Sequence, residues 1–438
     1  MKNALLKVGF GFFLTAISFS LFAQQPRIAN VRYNDQTGIN VFEPSKEDTV
    51  KFEGIKLRVG ANFSQSYQNL MHSNSATPNI VGGVDLNALT PISDGFNTAM
   101  ANLNFDVQLA DGVRLNLITY LSSRHHNETW VKGGYLQFDK LPFMHSDFLD
   151  NIMKFTTIRA GHMEINYGDA HFRRSDNGNT FYNPFIESYI MDAFTTEIGG
   201  DIMVRNNGIF GLLGITGGEI KGDVTEPTVT TTDDKAKRSP SIIGKLGYDK
   251  QLNDMLRLRI SASVYTTASS TSNTLYSGDR AGSHYFLVME NNSSTTGTRA
   301  SGRFDPGFSD KLTSYMGNIF IKYNGLEFFG TYESAKGRAR SEISERTVNQ
   351  YAGDLVYRFG NAENFYIGAR YNKVKGELAG ISNKVSIDRT ALSAGWFLTK
   401  NIMMKGEYVV QNYNNFPTTD IRSNGKFNGV VFEAAVAF

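Results

Sequence analysis

The stretch Leu256-Arg-Leu-Arg-Ile-Ser-Ala-Ser-Val264 decides the fold. Leu256, Leu258, Ile260, Ala262 and Val264 alternate with Arg257, Arg259, Ser261 and Ser263, and successive side chains of an extended chain point to opposite faces. One face is therefore apolar throughout, and the other carries two arginines. The same period of two runs through Val113-Arg-Leu-Asn-Leu-Ile-Thr-Tyr120. It also runs through 101–108, where Ala101, Leu103, Phe105 and Val107 alternate with Asn102, Asn104, Asp106 and Gln108. A soluble β-sandwich turns such an apolar face onto a core, whereas a membrane barrel turns it outward to lipid. Alternation alone leaves the direction open, and the connections decide it.

Alternating segments are expected near 56–68, 98–109, 113–123, 129–140, 154–165, 193–205, 209–220, 239–249, 255–267, 314–324, 326–335, 349–359, 364–375, 386–398, 400–412 and 428–438, which makes 16. A hairpin hidden around Tyr285 to Met289 would raise the count by two. Short connections with hairpin chemistry, Asp111-Gly112, Asn206-Asn207-Gly208 and Asn324-Gly325, alternate with long polar ones near 69–97, 166–192, 221–238, 268–313, 336–348, 376–385 and 413–427. Two connections break the rule: 124–128 is short where a long one is expected, and 141–153 is long where a turn is expected. Short turns on one side, long loops on the other and an even strand count are the pattern of an all-β, transmembrane antiparallel outer-membrane barrel, with the turns periplasmic and the loops extracellular.

The ends of the chain agree. Lys2 and Lys7 precede an apolar run, Val8 to Phe22, that ends at Ala23, which reads as a cleaved secretory signal over 1–23. Residues 24–54 are expected to form a periplasmic segment that docks at the barrel mouth, and 55–438 the barrel. The last strand, Val430-Val-Phe-Glu-Ala-Ala-Val-Ala-Phe438, stops on an aromatic residue, and Phe438 resembles the terminal signal by which Gram-negative outer-membrane proteins are recognised for insertion. Trp130, Phe138, Tyr323, Phe359, Trp396 and Phe397 fall near strand ends and are expected in interfacial girdles.

Composition removes other classes. With 44 basic against 42 acidic side chains the formal charge is +2, so no global field gathers nucleic acid. The absence of cysteine excludes disulfides, thiol catalysis and thiolate metal sites. None of the seven histidines sits in a Gly-x-Ser-x-Gly or His-Glu-x-x-His context, so no catalytic residue and no cofactor are expected. The neighbours His125 and His126 would point to opposite sides of an extended chain, so no metal site is expected there either.

Two parts of the chain resemble the phosphate-selective, or O/P-type, porins and, more loosely, the porin-like barrels common in Bacteroidota. The first is Trp130-Val-Lys-Gly-Gly-Tyr-Leu-Gln-Phe138 with Ile158-Arg-Ala-Gly-His-Met-Glu-Ile-Asn-Tyr-Gly168, and the second runs from Leu392 to Tyr408. The resemblance implies passive diffusion across a Gram-negative outer membrane. By position, the third outward loop, 166–192, resembles the loop that folds into the lumen of 16-stranded porins. The stretch Asp169 to Asp192 carries no pattern of that family, so phosphate selectivity is not implied for it.

If the apolar face meets lipid, the other face lines a lumen whose side chains govern what passes. That inward set includes Arg114, Arg159, Arg205, Arg257, Arg259, Arg370 and Lys405, together with carboxylates such as Asp106, Glu197, Asp201, Glu327 and Glu433. Within 166–192, His171, Arg173, Arg174 and Asp176 are the candidate constriction. The two guanidinium groups would offer forked donors to a passing anion, or would instead tie the loop to wall carboxylates such as Glu197 or Asp201. The expected partners are outer-membrane lipid and lipopolysaccharide, the barrel-assembly machinery during insertion, and small hydrophilic solutes, anions among them. A homotrimer and a place in a larger protein complex both fit. The competing function is a structural or accessory barrel subunit.

Overall fold

The structure is a computed structural model describing residues 25–438, apart from 48–49, 123–128, 221–223, 225–226, 228, 230–231, 233–236, 278–279 and 294–300. The proposed signal over 1–23 and the pair His125-His126 lie outside the described residues.

Alternating sequence becomes strand wherever it was expected. The barrel strands are β1 (Lys56–Ser73), β2 (Met100–Ala110), β3 (Val113–Ser122), β4 (Thr129–Phe138), β5 (Thr156–Glu164), β6 (Thr196–Asn206), β7 (Ile209–Thr216) and β8 (Ser241–Gln251). They continue with β9 (Leu256–Thr267), β10 (Lys311–Tyr323), β11 (Leu326–Arg338), β12 (Arg346–Phe359), β13 (Phe365–Gly376), β14 (Val385–Thr399), β15 (Ile402–Asn414) and β16 (Lys426–Ala437). Each pairs antiparallel with its neighbour in sequence. The sheet closes because β1 pairs both with β2, from Lys56 opposite Gln108 to Ser64 opposite Met100, and with β16, from Asn62 opposite Ala437 to Ser73 opposite Lys426. Closure leaves no unpaired edge, which a lipid environment requires.

Exposure settles the direction of the alternation. In β9 Ile260 is 48% exposed while its neighbour Arg259 is fully buried. In β2 Asn102, Asn104, Asp106 and Gln108 are all buried. Exposed aliphatics around buried charge invert the arrangement of a soluble protein. At the turn end Phe359, Phe365 and Trp396 stack face to face on the outside, with centroids 5.7 and 5.8 Å apart, as an interfacial girdle. Phe397 does not join it. It turns inward, 3% exposed, against Phe181 and Tyr366, because parity puts it on the lumen face beside Trp396.

The turns follow their chemistry, with Gly112 and the pair Asn207-Gly208 at positive φ. The long connection after β4 is long because it holds a helix, α1 (Asp147–Met153), capped by the Ser146 hydroxyl accepting from the Leu149 amide and carrying Asp147 and Asp150 in its first turn. The hairpin considered around Tyr285 to Met289 does not form. Leu287 and Met289 take positive φ there, and Tyr285 and Val288 are buried, so this stretch is loop packed inside the barrel.

Candidate pore and the segments that fill it

A closed sheet of 16 strands is wide enough for an aqueous channel unless something folds inside it. Three segments do. The third loop, 165–195, crosses the lumen from wall to wall. Its backbone has no sheet partner, so inward side chains of β12–β15 supply the bonds that irregular backbone needs at this depth. The Lys405 ammonium donates to the carbonyls of Thr180, Asn183 and Phe185 at 3.1, 3.1 and 2.8 Å. Arg370 and Arg389 donate to the carbonyls of Glu187 and Ser188 at 2.7 and 2.8 Å. Glu407, Asn372 and Gln350 accept from the amides of Ile186, Ile190 and Met191.

The far tip of the loop lies on β2–β4. Asn102 accepts from the Asn177 side chain and the Gly178 amide. Asp176 takes the Lys132 ammonium at 2.5 Å and the Tyr120 hydroxyl. Gly178 is pressed so close that a Cβ there would lie 2.6 Å from the Asn62 carbonyl and 2.7 Å from the Ala101 Cα.

The second segment is the N-terminal one. From the turn end, where the Gln36 amide meets the Lys400 carbonyl, it reaches the centre of the lumen. Phe42, 1% exposed, packs edge-on against Phe172 and Phe320. Glu43 accepts from Arg259 at 2.8 Å, Lys245 at 3.1 Å and Asn166 at 3.0 Å. Asp169 of the third loop shares the same two cations, at 2.6 Å from Arg259 and 2.7 Å from Lys245. Burial would push the Glu43 carboxyl up, but Lys245 and Arg259 hold it well below the ordinary glutamate value.

The third is the fifth loop, 268–310. It covers the third from the loop end, with Tyr285 donating to Glu407, Tyr276 to Glu333, and Arg303 to Glu187 at 2.6 Å. Burial would raise the Glu187 carboxyl, but Arg303 first, then His284 and Arg389, bring it down to about 2.

Between these segments and the wall of β2–β7 a cavity of about 230 Å³ remains. A second, of about 530 Å³, opens at the turn end, and Arg114 lines both. Of the candidate residues, Arg114, Arg159, His171, Arg174 and Asp176 line the inner cavity. Arg173, Arg205, Arg257, Arg259, Arg370 and Lys405 lie outside that lining, because the inserted segments cover them and use them as anchors. Arg205 and Arg257 reach Glu43 and the Asn40 carbonyl.

The adjacent arginines part company. Arg173 turns toward Glu327, 3.4 Å away, and Asn40. Arg174 pairs with Asp192 at 2.6 Å and Asp176 at 3.0 Å, its guanidinium 3.9 Å above the Phe194 ring. Neither takes Glu197 or Asp201. Asp201 pairs across strands with Arg159, and Glu197 accepts from Thr216 and Tyr265. His171 bridges Glu164 and Asn166, and burial draws its pKa below the ordinary value against the pull of Glu164, keeping it neutral. Asn40, Phe42 and Glu43 escaped the sequence reading because their segment has no periodicity. The one available signal was an acid, Glu43, closing the short apolar run Ile39-Asn-Val-Phe42.

No family profile matches the sequence, and no curated protein matches it. Solved structures do. The anion-selective porin of Comamonas acidovorans is similar over 88% of this chain and 100% of its own, at TM-score 0.52 and 11% identity. The outer-membrane channel DcaP of Acinetobacter baumannii is similar over 89% and 99%, at 0.51 and 10%. OmpF of Salmonella typhi, in its complex with daunomycin, covers the same shares at 0.50 and 12%. At such identities the likeness is one of fold: the chain has the closed 16-strand antiparallel barrel of outer-membrane porins and channels.

Proposed function

We propose that the chain is an outer-membrane channel through which small hydrophilic solutes diffuse passively, constricted by the third loop together with the N-terminal segment. The observation that carries this reading is an apolar outer belt around a charged lumen in which two cavities, sharing Arg114, follow one wall from the constriction to the turn end. In this reading the turns and the N-terminal segment are periplasmic and the long loops face outward. The backbone of Phe438 pairs with Ala61 at 3.1 Å in both directions, which supports its role as the seam-closing assembly signal. Anion preference has weaker support, because the inner cavity carries five cationic side chains, with histidines neutral, and five carboxylates among the described residues. Purified protein in planar bilayers is expected to give discrete conductance steps, and silence in every condition would remove the channel reading.

The second reading, an accessory barrel subunit, draws on the fifth loop. Leu275, Tyr285, Val288 and Phe304 are almost fully buried and close the loop end with a packed cluster, more than diffusion alone requires. A stoichiometric partner retained in mild detergent, together with electrically silent barrels, would favour it.

A further inference from the structure

Resting on the channel reading, we propose that the favoured solute is a neutral, polyhydroxylated molecule of about monosaccharide size, bound in passing in the cavity between the third loop and β2–β6. Charge in that cavity is already answered. Arg114 has Asp106 at 3.3 Å, Lys132 has Glu164 at 2.9 Å and Asp176, Arg159 has Asp201, and Arg174 has Asp176. Arg32 lies over the Tyr182 ring at 3.6 Å and donates to the carbonyls of Gly38 and Phe172. An ionic solute would have to break one of these pairs, and doing so leaves a buried charge without its partner.

What the lining offers instead is amide. Asn34, Asn104, Asn116 and Asn179 reach it from the N-terminal segment, β2, β3 and the third loop. A side-chain amide holds a donor and an acceptor side by side, the arrangement that meets a hydroxyl. A hydroxyl both donates and accepts, so it meets either end of such an amide, whereas a carboxylate or an ammonium meets one end only. Arg114 and Asn179, both lining residues, each also keep one atom without a partner among the described residues, Nε and Oδ1, shut from the cavity in this arrangement. Tyr135 adds an aromatic ring to the lining, with the Arg159 guanidinium 5.6 Å from its centre. The volume, about 230 Å³, is below the roughly 300 Å³ at which pockets for drug-sized ligands begin.

The test uses the full-length protein in planar bilayers and in swelling liposomes, with glucose, gluconate and glucosamine as probes of matched size. Glucose is expected to reduce KCl conductance saturably and to enter liposomes several-fold faster than either charged analogue. Asn179→Leu, which removes one of these amides, is expected to weaken the glucose block several-fold. Gluconate or glucosamine entering as fast as glucose overturns the inference while leaving the channel standing, and so does an unaltered block in N179L. Absence of both KCl conductance and glucose entry overturns the inference and the channel reading together.

Discussion

Glu43 sits between two cations that also serve Asp169, so one carboxylate joins the N-terminal segment, the third loop and the wall. Replacing it with alanine leaves Lys245 with Asp169, and Arg259 with Asp169 and Asp249, as buried counter-charges, and breaking a buried pair from one side costs about 3–5 kcal/mol. Glu43→Ala is expected to free the segment, read as faster tryptic cleavage after Arg32 in the folded barrel. Glu187 gives a pH dependence. Its carboxyl is depressed to about 2 from an ordinary 4.5, so the contribution is full above 4.5 and disappears as pH falls through that window toward 2. Limited pepsin digestion is expected to cut the fifth loop increasingly over that range, and earlier in Arg303→Ala. That the strand residue Arg259 faces inward was legible from parity. Their partners were not, because ion pairs join residues far apart: Arg173 meets Asn40 across 133 positions of sequence.

At the scale of elements, every expected strand formed, with boundaries shifted by a few residues, because period-two alternation and Asn-Gly or Asp-Gly turns are local signals. β6, expected from 193, begins at Thr196 because Phe194 and Thr195 still belong to the buried loop. The third loop is held inside the barrel by anchors that were not legible, since its irregular backbone takes hydrogen bonds from strands far apart in sequence: β2 through Asn102, β8 through Lys245, β10 through Asn318, and β12–β15. Gly178 offers a test of that docking. A valine there must displace the backbone of β1 or β2 or lift the tip of the loop, at a cost of about 1–3 kcal/mol in line with overpacked cores. Gly178→Val is expected to lower the unfolding temperature and to raise conductance, while the same change at Gly95, where a Cβ meets nothing within 4 Å, is expected to leave conductance unchanged.

For the whole molecule, the closed barrel was legible because sixteen short signals agree in parity. The filling of its lumen by three separate segments was not, because no single segment announces where it docks. The distribution of charge yields a sharp contrast between adjacent residues. Arg174 lines the cavity and Arg173 does not, so Arg174→Ala is expected to shift the reversal potential toward cations while Arg173→Ala leaves it in place and loosens the loop. Single-channel recording of the wild type beside Glu43→Ala tests the central claim most directly. The account predicts small, discrete steps for the wild type and larger ones once the segment is released. Folded barrels that stay electrically silent in both proteins would contradict it.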